Sequence, residues 1–344
     1  MKFIHIADVH WGARPERNKP FGRIRENEIK ETFQRVIDYA NQQQSDVLLI
    51  AGDFFDQKPT TQDLREVDYI LSKLNKTRIV WIAGNHDFLT QGDSFSQYHW
   101  KSNVYFLDGR IRDKVRFPDL KTTIYGISYW TNQIRKPIYD YMKPDKTTDF
   151  SILLAHGGDE SHIPIEKDTL KWSGFDYIAL GHIHKPEIIF EDLMAYSGSL
   201  EPLDHTESGH HGLIEGEISE EKQQICFVPF AKRMYMQVEV MISEEMSASE
   251  IMDRIETELS YRGRENIYEV FLTGSIDPYI NLDVQDIMND YLIYNIVYET
   301  KSKWDYEQLS EEKDFIIKEV AEILKDEPQA LSYAMEALSY AREK

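Results

Sequence analysis

The segment RIVWIAGNHD at residues 78–87 joins an apolar run, two small residues and a group of polar side chains that can bind metals. The segments KFIHIAD, at residues 2–8, and DVLLIAGD, at residues 46–53, follow the same design. A strand that ends in Ala or Gly lets the backbone approach a site closely, because no large side chain intervenes. The repeated design therefore predicts strands whose carboxyl ends meet at one polar site.

Two later segments, ILLAH at residues 152–156 and IALGH at residues 178–182, repeat the design with histidine as the polar residue. Two further polar residues come two positions after a member of the set, and residues two apart in an extended chain face the same side. The predicted metal ligands are Asp8, His10, Asp53, Asn85, His156, His182 and His184.

This set of oxygen and nitrogen ligands is too large for one tetrahedral ion and suits two divalent ions that share a carboxylate. The mixture of carboxylate, amide and imidazole favours manganese, iron or zinc, whereas magnesium prefers oxygen atoms and water. Two such ions can fix a phosphoryl group and neutralise the charge that develops during its displacement. The pattern therefore predicts a dinuclear site for phosphoryl chemistry.

Strand and helix patterns alternate over the first ninety residues. Short apolar runs predict strands at Lys2–Ala7, Asp46–Ala51 and Arg78–Ala83. Between them, apolar residues at three- and four-residue steps predict helices at Glu28–Gln42 and Thr61–Asn75. This βαβαβ order implies right-handed crossovers and neighbouring parallel strands.

After Val104 the predicted strands follow one another closely, which indicates two packed sheets. We therefore predict an α/β fold in which a two-sheet β-sandwich is flanked by helices. The further strands are predicted at Val104–Leu107, Thr122–Ser128, Phe150–Ala155, Asp176–Leu180, Glu187–Phe190, Met194–Ser197, Gly212–Ile218 and Gln223–Pro229.

The patterns divide the chain into three parts. Residues 1–232 form the sandwich, and the strand and helix patterns of residues 233–304 predict a small α+β capping domain. Residues 305–344 read as an amphipathic αα-hairpin, in which Pro328 lies near the start of the second helix. The apolar face of this hairpin packs either on its own domain or on a partner protein.

Composition places broad limits on the protein. The length of 344 residues predicts two or more domains, and a hydrophobic fraction of 41% is enough to bury sizeable cores. Cys226 is the only cysteine, which excludes an intrachain disulfide and a cysteine metal cluster. Because the N-terminal segment lacks a long apolar run, we expect neither a signal peptide nor a membrane anchor, and we expect a cytoplasmic location.

The formal net charge of −21 is unevenly distributed along the chain. Residues 234–344 hold 25 Asp and Glu against 10 Lys and Arg, whereas residues 1–233 hold 35 against 29. A nucleic acid would therefore contact the first part, where two basic stretches either bind phosphates or form solvated loops. The first stretch, our candidate DNA-binding set, is Arg14, Arg17, Lys19, Arg23 and Arg25, and the second is Arg110, Arg112, Lys114, Arg116 and Lys121.

The ordered motifs resemble those of calcineurin-like metallophosphoesterases over residues 1–220. They are Asp8-Val9-His10, Gly52-Asp53, Gly84-Asn85-His86-Asp87, His156-Gly157 and Gly181-His182-Ile183-His184. The resemblance implies that one ion is held by Asp8, His10 and His184. The other would be held by Asn85, His156 and His182, with Asp53 bridging both ions.

The same resemblance gives His86 a catalytic role without making it a ligand. It would face the scissile phosphate and either protonate the leaving oxygen or stabilise the pentavalent oxyanion. Asp87 would orient the His86 imidazole and raise its pKa. Asp56 is interpreted as a turn residue, and His5, inside a strand, as a core histidine.

Three further segments resemble the SbcD group of DNA-repair exonucleases. They are GDFFD at residues 52–56, GHIHKPEII at residues 181–189 and SGSLEPLDHTESGHHGLIEGEI at residues 197–218. The likeness implies a manganese-dependent DNA exonuclease or endonuclease that works with an SMC-type (SbcC-like) ATPase, bound through the C-terminal helices. Separately, the apolar helix surfaces of the first domain suggest a homodimer. Glu207 lies in this segment without an assigned role, and His205, His210 and His211 are expected in a solvated loop.

Two other functions fit the sequence. The same metal chemistry could act on a cyclic nucleotide, a nucleotide-sugar diphosphate or a phosphoprotein, because a two-metal site recognises only the phosphate. A non-catalytic scaffold for the ATPase is the remaining alternative, and the complete ligand set argues against it.

Overall fold

The structure is a computed structural model that describes residues 1–101, 103–110, 112–145, 149–277, 279–302, 309–310 and 314–342. The chain divides into two compact units, Met1–Met234 and Tyr235–Lys344. The division into residues 1–232, 233–304 and 305–344 remains a prediction, and residues 305–308 at the start of the expected tail lie outside the described residues.

The first unit contains twelve strands and three α-helices within its described residues. The strands are β1 (Lys2–Ile6), β2 (Val47–Ala51), β3 (Arg78–Ile82), β4 (Val104–Phe106), β5 (Asp113–Phe117), β6 (Thr122–Gly126), β7 (Phe150–His156), β8 (Tyr177–Gly181), β9 (Glu187–Phe190), β10 (Met194–Tyr196), β11 (Gly212–Ile218) and β12 (Gln223–Pro229). The helices are α1 (Gly22–Gln43), α2 (Thr61–Leu71) and α3 (Lys167–Lys171), with 3-10 turns at Pro118–Leu120 and Tyr139–Tyr141.

These strands form two mixed sheets, which confirms the predicted two-sheet α/β architecture. The first sheet has the order β12-β11-β1-β2-β3-β4, with β1 to β4 parallel and β11 antiparallel to β1. The second has the order β5-β6-β7-β8-β10-β9, with β6, β7, β8 and β10 parallel. The sequence patterns missed β5, because its charged residues alternate with only two apolar ones.

The apolar residues of β2 alternate between two cores, as side chains of a strand buried on both faces must. Val47 and Leu49 lie in the cluster between the two sheets, together with Ile152 of β7. Leu48 and Ile50 lie in the cluster beneath α1 and α2. The predicted helix stripe, consisting of Ile29, Phe33, Val36, Ile37 and Ala40, is buried in that second cluster.

Helix α1 is longer than its apolar stripe predicts: it begins at Gly22, whereas the predicted start was residue 28. Its additional turns carry Arg25 and Glu28, whose charged groups are buried and paired with each other. Helix α2 begins with a capping box between Thr60 and Asp63, which satisfies two backbone N–H groups. It ends at Leu71, before the predicted Asn75.

The second unit is built on three parallel strands with the order β13 (Tyr235–Ile242), β14 (Ile267–Ile276) and β15 (Leu292–Ser302). Helices α4 (Ala248–Arg262) and α5 (Gln285–Asp290) connect successive strands. Helices α6 (Phe315–Leu324) and α7 (Pro328–Arg342) follow, and Leu331 and Met335 of α7 share a buried cluster with Ala321 of α6. Within the described residues, no helix combines the length and apolar character needed to cross a membrane.

Candidate metal centre

The ends of five parallel strands bring the predicted ligands of the first unit together. Single ligand atoms from Asp8, His10 and His184 all lie within 4.8 Å of one another. Atoms from Asp53, His156 and His182 form a second such group. The Asn85 side-chain oxygen lies 2.9 Å from Nε2 of His156, so the seventh predicted ligand joins the second group.

The backbone at this edge is held in a sparsely populated conformation. The φ angles are 50° at Asp8, 49° at His10, 45° at Asp53 and 96° at His182, all in the left-handed region. Such residues cost roughly 1–3 kcal/mol each and persist where surrounding structure enforces them. Here the Asp8 N–H donates to the Gly52 carbonyl at 3.1 Å and the His10 N–H to the Asp53 carbonyl at 3.2 Å.

Two glycines allow the strand ends to approach one another. A Cβ atom added to Gly84 would lie 2.2 Å from Oδ1 of Asp53, and one added to Gly181 would lie 2.1 Å from the Ala51 carbonyl oxygen. Both distances are far below van der Waals contact, so any larger residue would push neighbouring groups apart. The small residues of the sequence design therefore set the compactness of the site.

Around His156, lone pairs from three groups converge. Its Nδ1 lies 2.9 Å from the Ala51 carbonyl oxygen, which only accepts, so Nδ1 carries the hydrogen. Its Nε2 then faces the Asn85 oxygen at 2.9 Å and Asp53 Oδ2 at 3.3 Å. Burial disfavours the charged imidazole, but the Asp53 carboxylate outweighs burial and raises the pKa of His156 to about 9. A cation at this point satisfies all three groups.

The second convergence lies between His10 and His184, whose Nε2 atoms are 3.1 Å apart. The His10 Nδ1 atom contacts Asp56 Oδ1 at 3.2 Å, and the His184 Nδ1 atom contacts Glu207 Oε1 at 2.7 Å. Because carboxylates accept hydrogen bonds, both Nδ1 atoms carry hydrogen and both Nε2 lone pairs point inward. This donor set fits a divalent ion bound by imidazole and the buried Asp8.

His86 lies at the rim of the centre and is exposed. Its backbone N–H donates to Asp53 Oδ1 at 2.8 Å, and its Nδ1 donates to the Asp56 carbonyl at 2.9 Å. Its ring meets the His10 ring edge to face, with the centroids 4.9 Å apart. The backbone of residue 56, rather than Asp87, therefore orients this imidazole.

The prediction that the Asp87 side chain orients the His86 imidazole is wrong. The carboxylate is buried and accepts the backbone N–H groups of Phe54, Phe55 and Gly84 at 2.7–3.1 Å. Burial and the neighbouring Asp53 carboxylate raise the pKa of Asp87 to about 7. Asp87 therefore joins the end of β2 to the turn after β3, and its position beside His86 in sequence misled the interpretation.

Three acids contact the predicted ligands without having been assigned to them. Asp56, interpreted as a turn residue, contacts His10, and Glu207 contacts His184. Asp159 Oδ2 lies 2.7 Å from His182 Nε2. The only sequence signal was the place of Glu207 in the SbcD-like segment, because Asp159 and Asp56 lie in loops whose paths the sequence pattern does not fix.

Two histidines outside the ligand set are buried. His5 is fully buried and bonds through Nδ1 to the Tyr177 hydroxyl at 2.9 Å, which confirms it as a core histidine. His211 is also buried, and its Nδ1 lies 2.8 Å from Ser199 Oγ, so its prediction as a solvated residue is wrong. It directly precedes the buried strand β11, whereas His205 and His210 are exposed as expected.

The candidate DNA-binding stretch is only partly accessible. Arg14 and Arg17 line a cavity of about 440 Å³ together with Lys58 and Asp56, next to the metal centre. Arg14 is exposed and pairs with Glu26 at 3.2 Å. Of the remaining residues in the stretch, Arg23 is exposed and Lys19 half-buried.

The prediction that Arg25 contacts DNA is wrong, because its side chain is fully buried. One guanidinium nitrogen lies 2.5 Å from Glu28 Oε2 and 3.4 Å from Glu201 Oε2, and the other donates to the Pro202 carbonyl at 2.8 Å. Arg233 also pairs with Glu28, at 2.6 Å. This buried ionic network joins α1 to the segment that precedes β11 and to the end of the first unit.

The second basic stretch is largely occupied by carboxylates. Arg112 pairs with Asp145 at 2.6 Å, Arg116 with Asp149 at 2.5 Å and Lys121 with Glu220 at 2.8 Å. Lys114 also pairs with Asp145. These pairs favour the interpretation of this stretch as a solvated surface.

Comparison with known proteins agrees with this geometry. A family model described as calcineurin-like phosphoesterase matches residues 1–186. The uncharacterized metallophosphoesterase YhaO of Bacillus subtilis is 29% identical over 250 residues, which cover 65% of this chain and 60% of the relative.

Two named DNA-processing proteins are also similar. The DNA double-strand break repair protein Mre11 of Methanopyrus kandleri is 30% identical over 292 residues, 77% of this chain and 62% of the relative. The SbcD subunit of the SbcCD nuclease of Staphylococcus saprophyticus is 24% identical over 277 residues, 69% of this chain and 71% of the relative. These relatives confirm the SbcD-like resemblance, and the chain spans about three fifths of the length of YhaO and of this Mre11.

Proposed function

Because the chain belongs to the calcineurin-like phosphoesterase family, we propose that it is a two-metal phosphodiesterase that cleaves DNA. The observation that carries the proposal is the convergence of acceptor atoms in two adjacent groups at the strand ends. Such convergence is unfavourable without cations and suits the binding of two of them.

In the proposed site, Asp8, His10 and His184 hold one ion, and Asn85, His156 and His182 hold the other. The Asp53 carboxylate, which lies 3.3 Å from Nε2 of His156 in the second group, would contribute to holding both ions. When bound, two divalent ions polarise a phosphoryl group, activate water at neutral pH and balance the charge of an in-line displacement. Manganese is the proposed metal, since the nitrogen-rich set disfavours magnesium.

His86 acts on the substrate from the rim of the centre. Its Nδ1 hydrogen is committed to the Asp56 carbonyl, so the imidazolium form, with a second hydrogen on Nε2, is the form that donates a proton or hydrogen bond to a phosphodiester oxygen. Its exposure leaves room for a polymeric substrate, and the contact with His10 fixes the plane of the ring. Asp87 supports the loop that carries it and has no direct part in this step.

The cavity lined by Arg14, Arg17 and Lys58 supports DNA as the substrate. A nucleic acid carries a phosphate on each nucleotide, and cations beside the metal centre would bind the phosphates next to the scissile one. Arg14 and Lys58 would then exchange their carboxylate partners, Glu26 at 3.2 Å and Asp93 at 2.9 Å, for those phosphates. The similarity to Mre11 and to the SbcD subunit of SbcCD supports the same substrate. A cyclic nucleotide, a nucleotide-sugar diphosphate or a phosphoprotein remains the alternative, since the metal centre itself binds only phosphate.

The first test is cleavage of end-labelled duplex and single-stranded DNA by the purified protein with Mn2+. The wild type and Asp38→Ala, an exposed carboxylate on α1, should cleave, whereas Asp53→Ala should not. Hydrolysis of bis(p-nitrophenyl) phosphate is followed in parallel. Hydrolysis of this ester without DNA cleavage, both alone and with an SMC-type ATPase, would exclude a DNA nuclease and favour a smaller substrate.

The proposal includes an SMC-type ATPase partner in DNA repair, bound through α6 and α7. Phe315, Ile316 and Ile323 of α6 are 73%, 55% and 75% exposed, which is unusual for large apolar side chains. Substituting Ile323 by Arg should abolish binding of the purified ATPase and leave ester hydrolysis unchanged, whereas Lys318→Glu on the same helix should retain binding. Binding by Ile323→Arg at wild-type affinity would remove α6 from the proposed interface.

A homodimer and a cytoplasmic location complete the proposal. Ile24 of α1 and Tyr69 of α2 are 47% and 66% exposed and could contribute to a dimer of the first unit. Sedimentation equilibrium of the wild type and of Ile24→Glu tests the dimer, and cell fractionation tests the location.

A further inference from the structure

The two histidines that follow β8 each contact a carboxylate, but through different ring nitrogens. Nε2 of His182 lies 2.7 Å from Asp159 Oδ2, and Nδ1 of His184 lies 2.7 Å from Glu207 Oε1. Because a carboxylate accepts, His182 carries its hydrogen on Nε2 and His184 on Nδ1. The nitrogen left for a metal is therefore Nδ1 in His182 and Nε2 in His184.

The positions of the two rings agree with this assignment. His184 directs Nε2 towards His10 Nε2, at 3.1 Å. His182 belongs to two candidate ligand groups, one with Asp53 and His156 and one with Asp159 and His162, and its ring centroid lies 5.3 Å from that of His156. Each histidine thus has one nitrogen on a carboxylate and contributes to a different ligand group.

We propose that Asp159 and Glu207 are positioning residues, each of which fixes the ring orientation and tautomer of the histidine that serves one metal ion. The proposal rests on the two-metal site described above. A carboxylate on the outer nitrogen of an imidazole holds the ring in place and makes its inner nitrogen a stronger ligand. Glu207 would serve the ion of Asp8 and His10, and Asp159 the ion of Asp53 and His156.

Both acids are held by contacts independent of the histidines. Glu207 Oε2 accepts from Ser199 Oγ at 2.9 Å and from the Leu203 N–H at 3.0 Å, and the side chain is 13% exposed. Asp159 Oδ1 accepts from the N–H groups of Ser161 and His162 at 2.7 and 2.9 Å, and its side chain is 46% exposed. We expect replacement of the more buried Glu207 to weaken metal binding more than replacement of Asp159, because water competes with His182 for the exposed Asp159 carboxylate.

Tautomers can be measured without any activity. Long-range proton–nitrogen spectra of histidine-labelled protein with Zn2+, a diamagnetic ion, should show His182 protonated on Nε2 and His184 on Nδ1. Glu207→Gln should disturb the His184 signal alone, and Asp159→Asn the His182 signal alone. The same tautomer at both histidines would overturn the proposal and leave the proposed function standing.

Calorimetric titration with Mn2+ tests the effect on each ion. Glu207→Gln should weaken one of two binding events by about 10- to 100-fold, and Asp159→Asn should weaken the other, while each remaining event stays unchanged. Ser199→Ala removes a contact of Glu207 but keeps its pair with His184. The His162 Nδ1 atom lies 2.8 Å from Asp159 Oδ2, so His162→Gln likewise removes a side-chain contact of Asp159 but keeps its pair with His182. These controls should bind both ions as the wild type does.

The Tm of metal-free protein in chelator separates positioning from general stability. If Glu207→Gln or Asp159→Asn lost both ions equally, and if its metal-free Tm were also far below that of the metal-free wild type, the proposal would be overturned in favour of a structural role. If His162→Gln lost an ion as Asp159→Asn did, Asp159, His162 and His182 would form a metal site themselves, and the positioning role would be wrong. A wild type that binds no Mn2+ would overturn the proposed function as well.

Discussion

The Nε2 atoms of His10 and His184 lie 3.1 Å apart, and the Nδ1 atom of each imidazole lies against a carboxylate. Two lone pairs at this distance repel each other unless a cation or a proton lies nearby. The ligand atoms at the strand ends of the first unit therefore need a nearby positive charge. Without a metal ion, only protonation of these side chains can supply that charge.

Binding of Mn2+ is therefore expected to stabilise the folded chain. At an ion concentration 100 times the Kd, each site would contribute about 2.7 kcal/mol, seen as a rise in Tm that excess chelator reverses. Asp53→Asn should lose most of this rise, whereas Asp38→Asn, on the exposed face of α1, should keep it. A Tm that Mn2+ leaves unchanged would contradict the metal assignment.

Replacement of His86 should separate catalysis from metal binding. We expect His86→Gln to retain both ions and to lose about 10²- to 10⁴-fold in turnover, because a proton donor is removed and no ligand is lost. Metal content by mass spectrometry and rates of ester hydrolysis test this. His99→Gln, at another exposed histidine, is the matched control, and a metal-free His86 variant would show instead that His86 is a ligand.

Arg25 should matter for stability rather than for DNA binding. Arg25→Ala would leave the buried Glu28 and Glu201 with less compensation, at a cost of roughly 3–5 kcal/mol in the free energy of unfolding. Urea unfolding measures this loss.

The matched variant is Arg17→Ala, at a residue that lines the exposed cavity. It should weaken DNA binding in a fluorescence anisotropy titration, and its free energy of unfolding should stay within about 0.5 kcal/mol of the wild-type value. Weakened DNA binding by Arg25→Ala with an unchanged free energy of unfolding would show instead that Arg25 contacts DNA.

The buried imidazole of His5 should contribute to acid sensitivity. Burial lowers the pKa of His5 from 6.5 to about 3, so the folded protein binds fewer protons there than the unfolded chain. The stabilising effect of its neutral form is complete above pH 6.5. As the pH falls from 6.5 towards 3, this contribution to the free energy of unfolding decreases by up to about 1.4 kcal/mol per pH unit.

His5→Gln, which does not titrate, tests this effect. Its free energy of unfolding should fall less steeply than that of the wild type between pH 6.5 and 4, even if the variant is less stable at pH 7. His99→Gln should follow the wild-type slope. Equal slopes for His5→Gln and the wild type would assign the acid sensitivity to other groups.

The sequence predicted the strand ends well because one physical requirement governs them. An apolar run buried on both faces, followed by a small residue and a ligand, has few other structural uses. For Asp8, Asp53 and His156 the pattern alone therefore indicated both the element and the place of the side chain. Their grouping at one edge followed from the parallel order of the strands.

The acids around the ligands could not be predicted in this way. Asp56, Asp159 and Glu207 reach the histidines from loops, and loop paths depend on contacts distant in sequence. Asp87 shows the opposite error, since its neighbour in sequence, His86, is not the group that its carboxylate contacts. Arg25 was misplaced because charge alone does not distinguish a solvated cation from one paired inside a helix interface.

The pairing of β1 with β11 has a consequence for biosynthesis. Strand β1 has one neighbour, β2, within the next fifty residues, but its other neighbour, β11, spans residues 212–218. At about 5–20 residues per second, the second neighbour emerges roughly 10–40 s after β1 itself. During that interval a nascent chain presents an apolar edge of β1 that can pair with other chains, so folding of this unit on the ribosome depends on protection of that edge.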